Sequence, residues 1–398
     1  MKIGVLGYRF DYYPYLRNIL YKLPEAEYVP VKDLYSNLRR AALFANRRLS
    51  KDLFPAFDLN NQFDDFELNK VEILHFSNGI SYGRTPWVSH FETLLPRFSG
   101  LMQRYNGKIK NPIKLTPLIQ RGFAALQSPS CKRIIAWSQS AANIQSDLLT
   151  ELPFEERETI LKKMVVLHPP QELLVELPLQ KQYSSFDPIR FILVGSGFFR
   201  KGGLETLKAF EILVRNEGAP IKLVIVSSLR LESYAARETE VEKDWAVRFI
   251  EENSDWIEYY SSLPNDKTIE LIKKCDIGLL PTYADSYGFS VLEAQACGLP
   301  VISTDVRALP EINNIDIGWI IRVPKNDLGE ALYFTAEDRE RLSQQIQAGL
   351  EAIIHNIVAD PSVIFEKAVK SIERIREMHD PTVYAQKLRA IYQDALQE

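Results

Sequence analysis

Short apolar runs alternate with helical runs along this chain, and the alternation starts twice. The first series opens with a strand over residues 2–7 and a helix from Tyr13 to Leu23. Strands follow at Val71–Phe76 (VEILHF), Pro86–His90 (PWVSH), Arg133–Ser138 (RIIAWS) and Met164–Leu167, with a helix over Gln139–Leu149. His168-Pro169-Pro170 ends this series, because consecutive prolines restrict the backbone and remove two donors. The second series has strands at Ile189–Val194, Ile221–Val226, Ile257–Tyr260, Ile277–Pro281 and Val301–Thr304. Helices are expected between them at Leu204–Asn216, Glu232–Asn253, Lys267–Lys274 and Val291–Cys297. Strands that are apolar throughout are buried on both faces, and strict strand–helix alternation puts them in parallel sheets covered by helices. The chain is therefore expected to be α/β, with two Rossmann-like domains at residues 1–170 and 171–375. The tail, residues 337–397, reads as helical apart from breaks at Pro361 and Pro381, and residues 376–398 form the last helix.

A chain of 398 residues can bury two such cores. Its net charge of −4 argues against a nucleic-acid binder. The charge is unevenly spread. Residues 1–170 hold 23 Lys and Arg against 16 Asp and Glu, and the remainder holds 25 against 36. No acid lies between Glu92 and Asp147, a stretch that includes Arg97, Arg104, Lys108, Lys110, Lys114, Arg121, Lys132 and Arg133. Residues 36–54 (SNLRRAALFANRRLSKDLF) read as a basic amphipathic helix. Two readings stay open for these features: contact with an anionic membrane or phosphorylated acceptor, and a solvated basic face balanced by acids elsewhere.

Three well-separated cysteines, Cys131, Cys275 and Cys297, suit reduced thiols rather than a disulfide framework. No Cys/His group has zinc-ligand spacing. There is no run of about 18 apolar residues, and Arg9 and Asp11 interrupt the N-terminal apolar stretch. The expectation is a cytoplasmic protein, with peripheral membrane contact as the open addition.

Two segments carry chemistry. In residues 281–312 (PTYADSYGFSVLEAQACGLPVISTDVRALPEI) a strand ends at Pro281-Thr282, Asp285 follows in the loop, and Gly288 turns the chain into a helix bearing Glu293. Ligands of open α/β sheets bind in loops after the carboxyl ends of strands. The backbone N–H groups of Gly288, Phe289 and Ser290, at a helix start, suit phosphate or sugar oxygens. Glu293 can hold a vicinal diol, as carboxylates do on ribose. In residues 189–208 (IRFILVGSGFFRKGGLETLK) a strand runs into Gly195-Ser196-Gly197, then Arg200-Lys201-Gly202-Gly203 and a helix. Cations beside a helix N-terminus after a glycine turn make a diphosphate site. Taken singly, each residue has an ordinary structural reading; the pairing of the two segments favours the ligand.

Asp285, seven residues, Glu293, then A-x-A-C-G-x-P-V-I, together with the G-S-x-x-x-R-K-G turn, resembles the retaining group 1 (family 4) glycosyltransferases. The resemblance covers most of residues 165–320. It implies the GT-B fold, with two Rossmann-like domains facing across a central cleft and a C-terminal helix (Tyr384, Leu388, Tyr392) crossing back to the first domain. It implies that Lys201 binds the donor diphosphate, with Arg200 standing in for the family's arginine at the Ser196 position. It also implies that Glu293 holds the ribose, that Asp285 meets the hexose near its anomeric carbon, and that Gly288, Phe289 and Ser290 donate from the backbone. Gly197 would belong to the same donor site, Gly7 would approach the phosphates, and His90 would touch the donor sugar. The family's glycine pair before Pro-Glu is Arg307-Ala308 here.

The implied activity is transfer of a hexosyl group from a nucleotide-diphosphate sugar to a hydroxyl of a glycan, a lipid-linked or a small-molecule acceptor. Retention of configuration is expected, with no metal or other cofactor. Two rival readings are a nucleotide-sugar epimerase of the same architecture and a non-catalytic sugar-nucleotide-binding protein.

Overall fold

The computed structural model describes residues 1–6, 19–51, 53–105, 112–178 and 187–397. Contacts divide the chain into two compact units, Met1–Pro170 with Pro381–Glu398, and Gln171–Asp380.

In the first unit, strands β1 (Lys2–Leu6), β2 (Glu27–Val31), β4 (Ile73–Ser77), β6 (Trp87–Phe91), β7 (Cys131–Ala136) and β8 (Met164–Val166) form one sheet. Its order is β2-β1-β4-β6-β7-β8, and every neighbouring pair is parallel. Two short strands, β3 (Gln62–Phe63) and β5 (Ile80–Ser81), pair separately. Strand β2 was not anticipated from the sequence because Pro30 interrupts it. It lies at the sheet edge, where a missing N–H can face away from the ladder. The basic amphipathic helix runs from Leu34 to Leu49. Asp33 caps it by accepting from the Tyr35 and Ser36 N–H groups at 3.1 and 2.8 Å. The helix Pro381–Gln397 returns to this unit and packs against β7. It buries Tyr384, Leu388, Tyr392 and Ala395, a stripe at helical spacing. Gly7 and most of the helix expected at Tyr13–Leu23 lie outside the described residues.

In the second unit, β9 (Ile189–Val194), β10 (Ile221–Val226), β11 (Ile257–Tyr260), β12 (Ile277–Leu280), β13 (Val301–Thr304) and β14 (Trp319–Ile321) form a parallel sheet. The order is β11-β10-β9-β12-β13-β14. Strand order therefore reverses between β9 and β12, and the loops leaving these neighbours diverge to open a crevice. Strands β12 and β13 are buried at every residue, and the two polar residues of β13 are hydrogen-bonded: Thr304 Oγ1 donates to the Thr282 carbonyl at 2.7 Å and Ser303 Oγ accepts from Asn313 Nδ2 at 2.8 Å.

The helix expected at Glu232–Asn253 is shorter than its composition suggests. It spans Glu240–Glu252, and residues 227–239 form a loop. Ala235 and Arg237 adopt left-handed backbone angles of +59° and +60°, which interrupt a right-handed helix. Thr239 then starts the helix with a capping box to Glu242.

Candidate active site

The crevice between β9 and β12 brings the two chemistry-bearing segments together. Beyond β9 the chain turns at Gly195, whose φ is +142°, and the Lys201 side chain folds back across it. A β-carbon on Gly195 would lie 2.4 Å from Lys201 Cε, so only glycine admits the lysine there. Lys201 Nζ reaches Asp285 Oδ2 at 3.3 Å, which ties the turn after β9 to the loop after β12. Burial opposes ionisation of Asp285, but the charges of Lys201 and Arg200 outweigh it and hold the carboxyl below its ordinary range. The Tyr287 N–H donates to Asp285 Oδ1 at 3.2 Å and fixes the second oxygen.

Arg200 braces the same loop. Its backbone carbonyl accepts from Tyr283 N and Thr282 Oγ1, both at 2.9 Å. Its NH1 donates to the Ala284 carbonyl at 2.7 Å, and its Nε pairs with Glu232 at 3.0 Å. Two of its guanidinium nitrogens are thus committed inside the protein. Gly197 lies under this pair; a β-carbon there would meet Glu232 Oε2 at 2.7 Å.

Gly288 has φ +96° and caps the helix Phe289–Ala296, and a β-carbon on it would collide with Leu309 Cδ2 at 2.6 Å. The start of this helix carries Phe289 and Ser290 beside the Asp285 loop. Ser290 Oγ is buried without a hydrogen-bond partner. Glu293 lies one turn further on and is only 8% exposed. Asn265, at the start of the helix Asn265–Ile272, donates to Glu293 Oε1 at 3.2 Å and sets its orientation. Neither Asn265 nor Glu232 carries a sequence signal of its own; both emerge only from tertiary proximity. Among the described residues no group of three or more His, Cys, Asp or Glu side chains is arranged to hold a metal ion.

Arg307 adopts a left-handed backbone angle that favours glycine. Its φ is +46°, a strained angle for a side-chain-bearing residue. Its N–H donates to the Gly329 carbonyl at 2.8 Å, its guanidinium pairs with buried Glu330, and NH2 donates to Tyr234 Oη at 3.1 Å.

His90 lies on β6 among buried side chains. It belongs to the first unit and is 1% exposed. Its Nε2 is 3.0 Å from Tyr384 Oη, its Nδ1 is 2.5 Å from His75 Nε2, and His75 Nδ1 is 2.5 Å from Tyr392 Oη. Both ring nitrogens are engaged in this buried chain. Burial lowers the His75 pKa to about 3, and burial, with a smaller contribution from the neighbouring His75, lowers that of His90 well below its ordinary value. Both rings are neutral and join the sheet to the C-terminal helix.

Residues 179–352 match the family described as glycosyl transferases group 1. A Campylobacter jejuni protein, N,N'-diacetylbacillosaminyl-diphospho-undecaprenol alpha-1,3-N-acetylgalactosaminyltransferase, is 31% identical over 110 residues, 27% of this chain and 28% of that one. The D-inositol 3-phosphate glycosyltransferase of Nocardia farcinica is 25% identical over 164 residues, 39% of this chain and 35% of that one. The chain thus spans about a third of the length of these relatives. Among solved structures, the lipopolysaccharide-biosynthesis glycosyltransferase WaaG superposes with a TM-score of 0.55 at 13% identity, covering 98% of this chain and 99% of that one. Anabaena HepE, solved with UDP and glucose, gives 0.53 at 13% identity over 92% and 86%. The architecture is the mixed α/β fold of GT-B glycosyltransferases. The likeness to the group 1 glycosyl transferases thus lies in the second unit, over residues 179–352, the stretch that carries both chemistry-bearing segments.

Proposed function

We propose that the protein transfers a hexosyl group from a nucleotide-diphosphate sugar bound in the second unit to an acceptor hydroxyl, with retention of anomeric configuration and without a metal ion. The observation that carries this reading is the meeting of Lys201 and Asp285 at 3.3 Å across the β9–β12 crevice, beside the helix start at Gly288. In this reading Glu293 chelates the ribose diol and Asp285 faces the hexose. As the sugar–phosphate bond breaks, charge accumulates on the leaving phosphate. Lys201 and the backbone N–H groups at the helix start stabilise that charge more in the transition state than in the ground state. The acceptor hydroxyl attacks from the face the phosphate leaves, and the departing phosphate takes its proton. HepE was solved with UDP, and the Campylobacter relative is named for a diphospho-undecaprenol substrate; both are consistent with a nucleotide-linked donor and a glycan or lipid-linked acceptor.

Thermal-shift titration against UDP-, GDP- and ADP-sugars tests donor binding, since a ligand of the native state raises the melting temperature by mass action. Lys201→Ala and Glu293→Ala are expected to abolish transfer while the fold persists. Normal turnover in either variant would remove the site assignment.

We also propose peripheral contact with an anionic membrane on the cytoplasmic side, through the basic helix Leu34–Leu49. No single helix among the described residues is long and apolar enough to cross a membrane. Along the basic helix, Phe44 is 67% exposed, with Arg40, Arg47 and Arg48 at neighbouring helical positions.

A further inference from the structure

The two cations of the glycine turn are already matched by carboxylates. Lys201 pairs with Asp285 and Arg200 with Glu232. A diphosphate carries negative charge on both phosphates and enters a site whose local charges cancel. Resting on the donor reading above, a further cation is needed, and the loop after β10 carries a candidate.

That loop crosses the carboxyl edge of the sheet. The Ser227 hydroxyl donates to the Gly195 carbonyl, and the Ser228 hydroxyl donates to the Ser196 carbonyl at 2.8 Å. Four residues beyond Ser228, Glu232 reaches Arg200. Further on, Tyr234 Oη joins Arg307, Glu330 and Tyr333 beyond β13 and β14. Residues 227–232 run without a turn or bend. Ser228 and Glu232 both anchor the loop to the glycine turn and its Arg200, and Arg230 lies midway between these two anchors. It is at most about 7 Å along the chain from either anchor, and its own side chain spans a similar distance. Arg230 is exposed and, among the described residues, forms no ion pair.

We propose that Arg230 supplies the second cation of the pyrophosphate site, reaching over the Gly195–Gly197 turn to a nucleoside diphosphate from the side opposite the Asp285 loop. Arg200 is then a positioning residue, which holds the carbonyl of Ala284 and through it the Asp285 loop. Charge-assisted contacts of a guanidinium with phosphate are the strong class of hydrogen bond, and losing one weakens binding by roughly tenfold to a hundredfold.

The deciding experiment is calorimetric titration of UDP, GDP and ADP into wild-type protein, Arg230→Gln and Arg230→Lys at two salt concentrations. The expected result is a loss of that size in Arg230→Gln for whichever nucleotide the wild type binds, with a shallower salt dependence and partial recovery in Arg230→Lys. Melting of the variants is expected to be unchanged, because the side chain is exposed. Equal affinity of wild type and Arg230→Gln overturns the role of Arg230 and leaves the donor reading standing. Failure of the wild type to bind any of the three overturns the donor reading and this inference with it.

Discussion

Lys201 and Asp285 lie 84 residues apart in sequence, on loops that leave neighbouring strands, and their charged atoms meet at 3.3 Å. Each is largely buried, with side chains 12% and 14% exposed. In the donor complex proposed above, this pair aligns the turn assigned to phosphate with the loop assigned to sugar. Asp285→Asn removes the negative partner but keeps the shape. The lysine is then freed toward the donor diphosphate while the sugar loses its carboxylate. KM for the donor is expected to hold or fall, and kcat to drop by at least about a hundredfold. Steady-state kinetics separates the two parameters; an unchanged kcat would disconnect Asp285 from the chemistry.

The buried histidine pair sets a pH dependence in the first unit. Both folded-state pKa values lie below the ordinary value, that of His75 at about 3. The unfolded chain therefore binds protons that the folded chain refuses. Stability is fully present above about pH 6.5 and declines as pH falls from there toward pH 3, by up to about 1.4 kcal/mol per pH unit for each ring. Denaturant midpoints followed from pH 7.5 to 5 report this slope. His75→Gln is expected to flatten it, and a flat wild-type profile would contradict neutral buried rings.

Tyr384 Oη closes the far end of that chain, 3.0 Å from His90 Nε2. Tyr384→Phe leaves His90 Nε2 buried without its partner, which costs about 1–3 kcal/mol. A loss near zero in equilibrium unfolding would mean that the C-terminal helix does not depend on the link.

Much of the second unit was legible in the sequence because its signals are local. A strand, a glycine turn and the Arg200-Lys201 pair are contiguous, and so are Asp285, Gly288 and Glu293. Contacts that depend on distant partners were not legible. The surroundings of His90 are decided by Tyr384, 294 residues away, and a window around PWVSH contains no trace of it. The commitment of Arg200 depends on Glu232, in a segment whose sequence, ESYAARETEVEKDW, has the composition of a helix. Left-handed backbone at Ala235 and Arg237 overrides that propensity, and the tertiary anchor is Tyr234 in the Arg307–Glu330 cluster. Strand β2 escaped notice because Pro30 is compatible only with an edge, and edge position follows from the assembled sheet.

Glu238 gives the second unit a pH dependence of the opposite sign. Burial and then the charge of Glu205 raise its pKa to about 7. The folded state holds this proton more tightly than the unfolded chain, so the stabilisation is complete below the ordinary carboxyl value near 4.5. It is lost as pH rises through 7. Glu238→Gln keeps the neutral form at all pH and is expected to raise the melting temperature at pH 8 but not at pH 5. Melting curves at the two values decide it, and a variant less stable than wild type at pH 8 would show that the charged form is preferred.

The basic helix of the first unit offers a last prediction. From Leu34 to Leu49 it contains no acidic residue, and among the described residues Arg47 and Arg48 form no ion pair. Phe44 lies on its outward side, and the next segment adds Leu53, Phe54 and Phe57, which are 62%, 48% and 47% exposed. Asn46 holds Phe54 against the helix through two backbone hydrogen bonds of 2.9 and 3.0 Å. Apolar groups interleaved with unpaired arginines match a lipid surface with anionic headgroups, where each basic residue contributes about 1 kcal/mol. Replacing Arg40, Arg47 and Arg48 by Gln is therefore expected to lower partitioning onto phosphatidylglycerol-containing vesicles by roughly two orders of magnitude. Phe44→Ser should weaken binding in a way that added salt does not mimic. Cosedimentation measures both effects; wild-type protein that stays in the supernatant with anionic vesicles at low salt would assign this face to solvent.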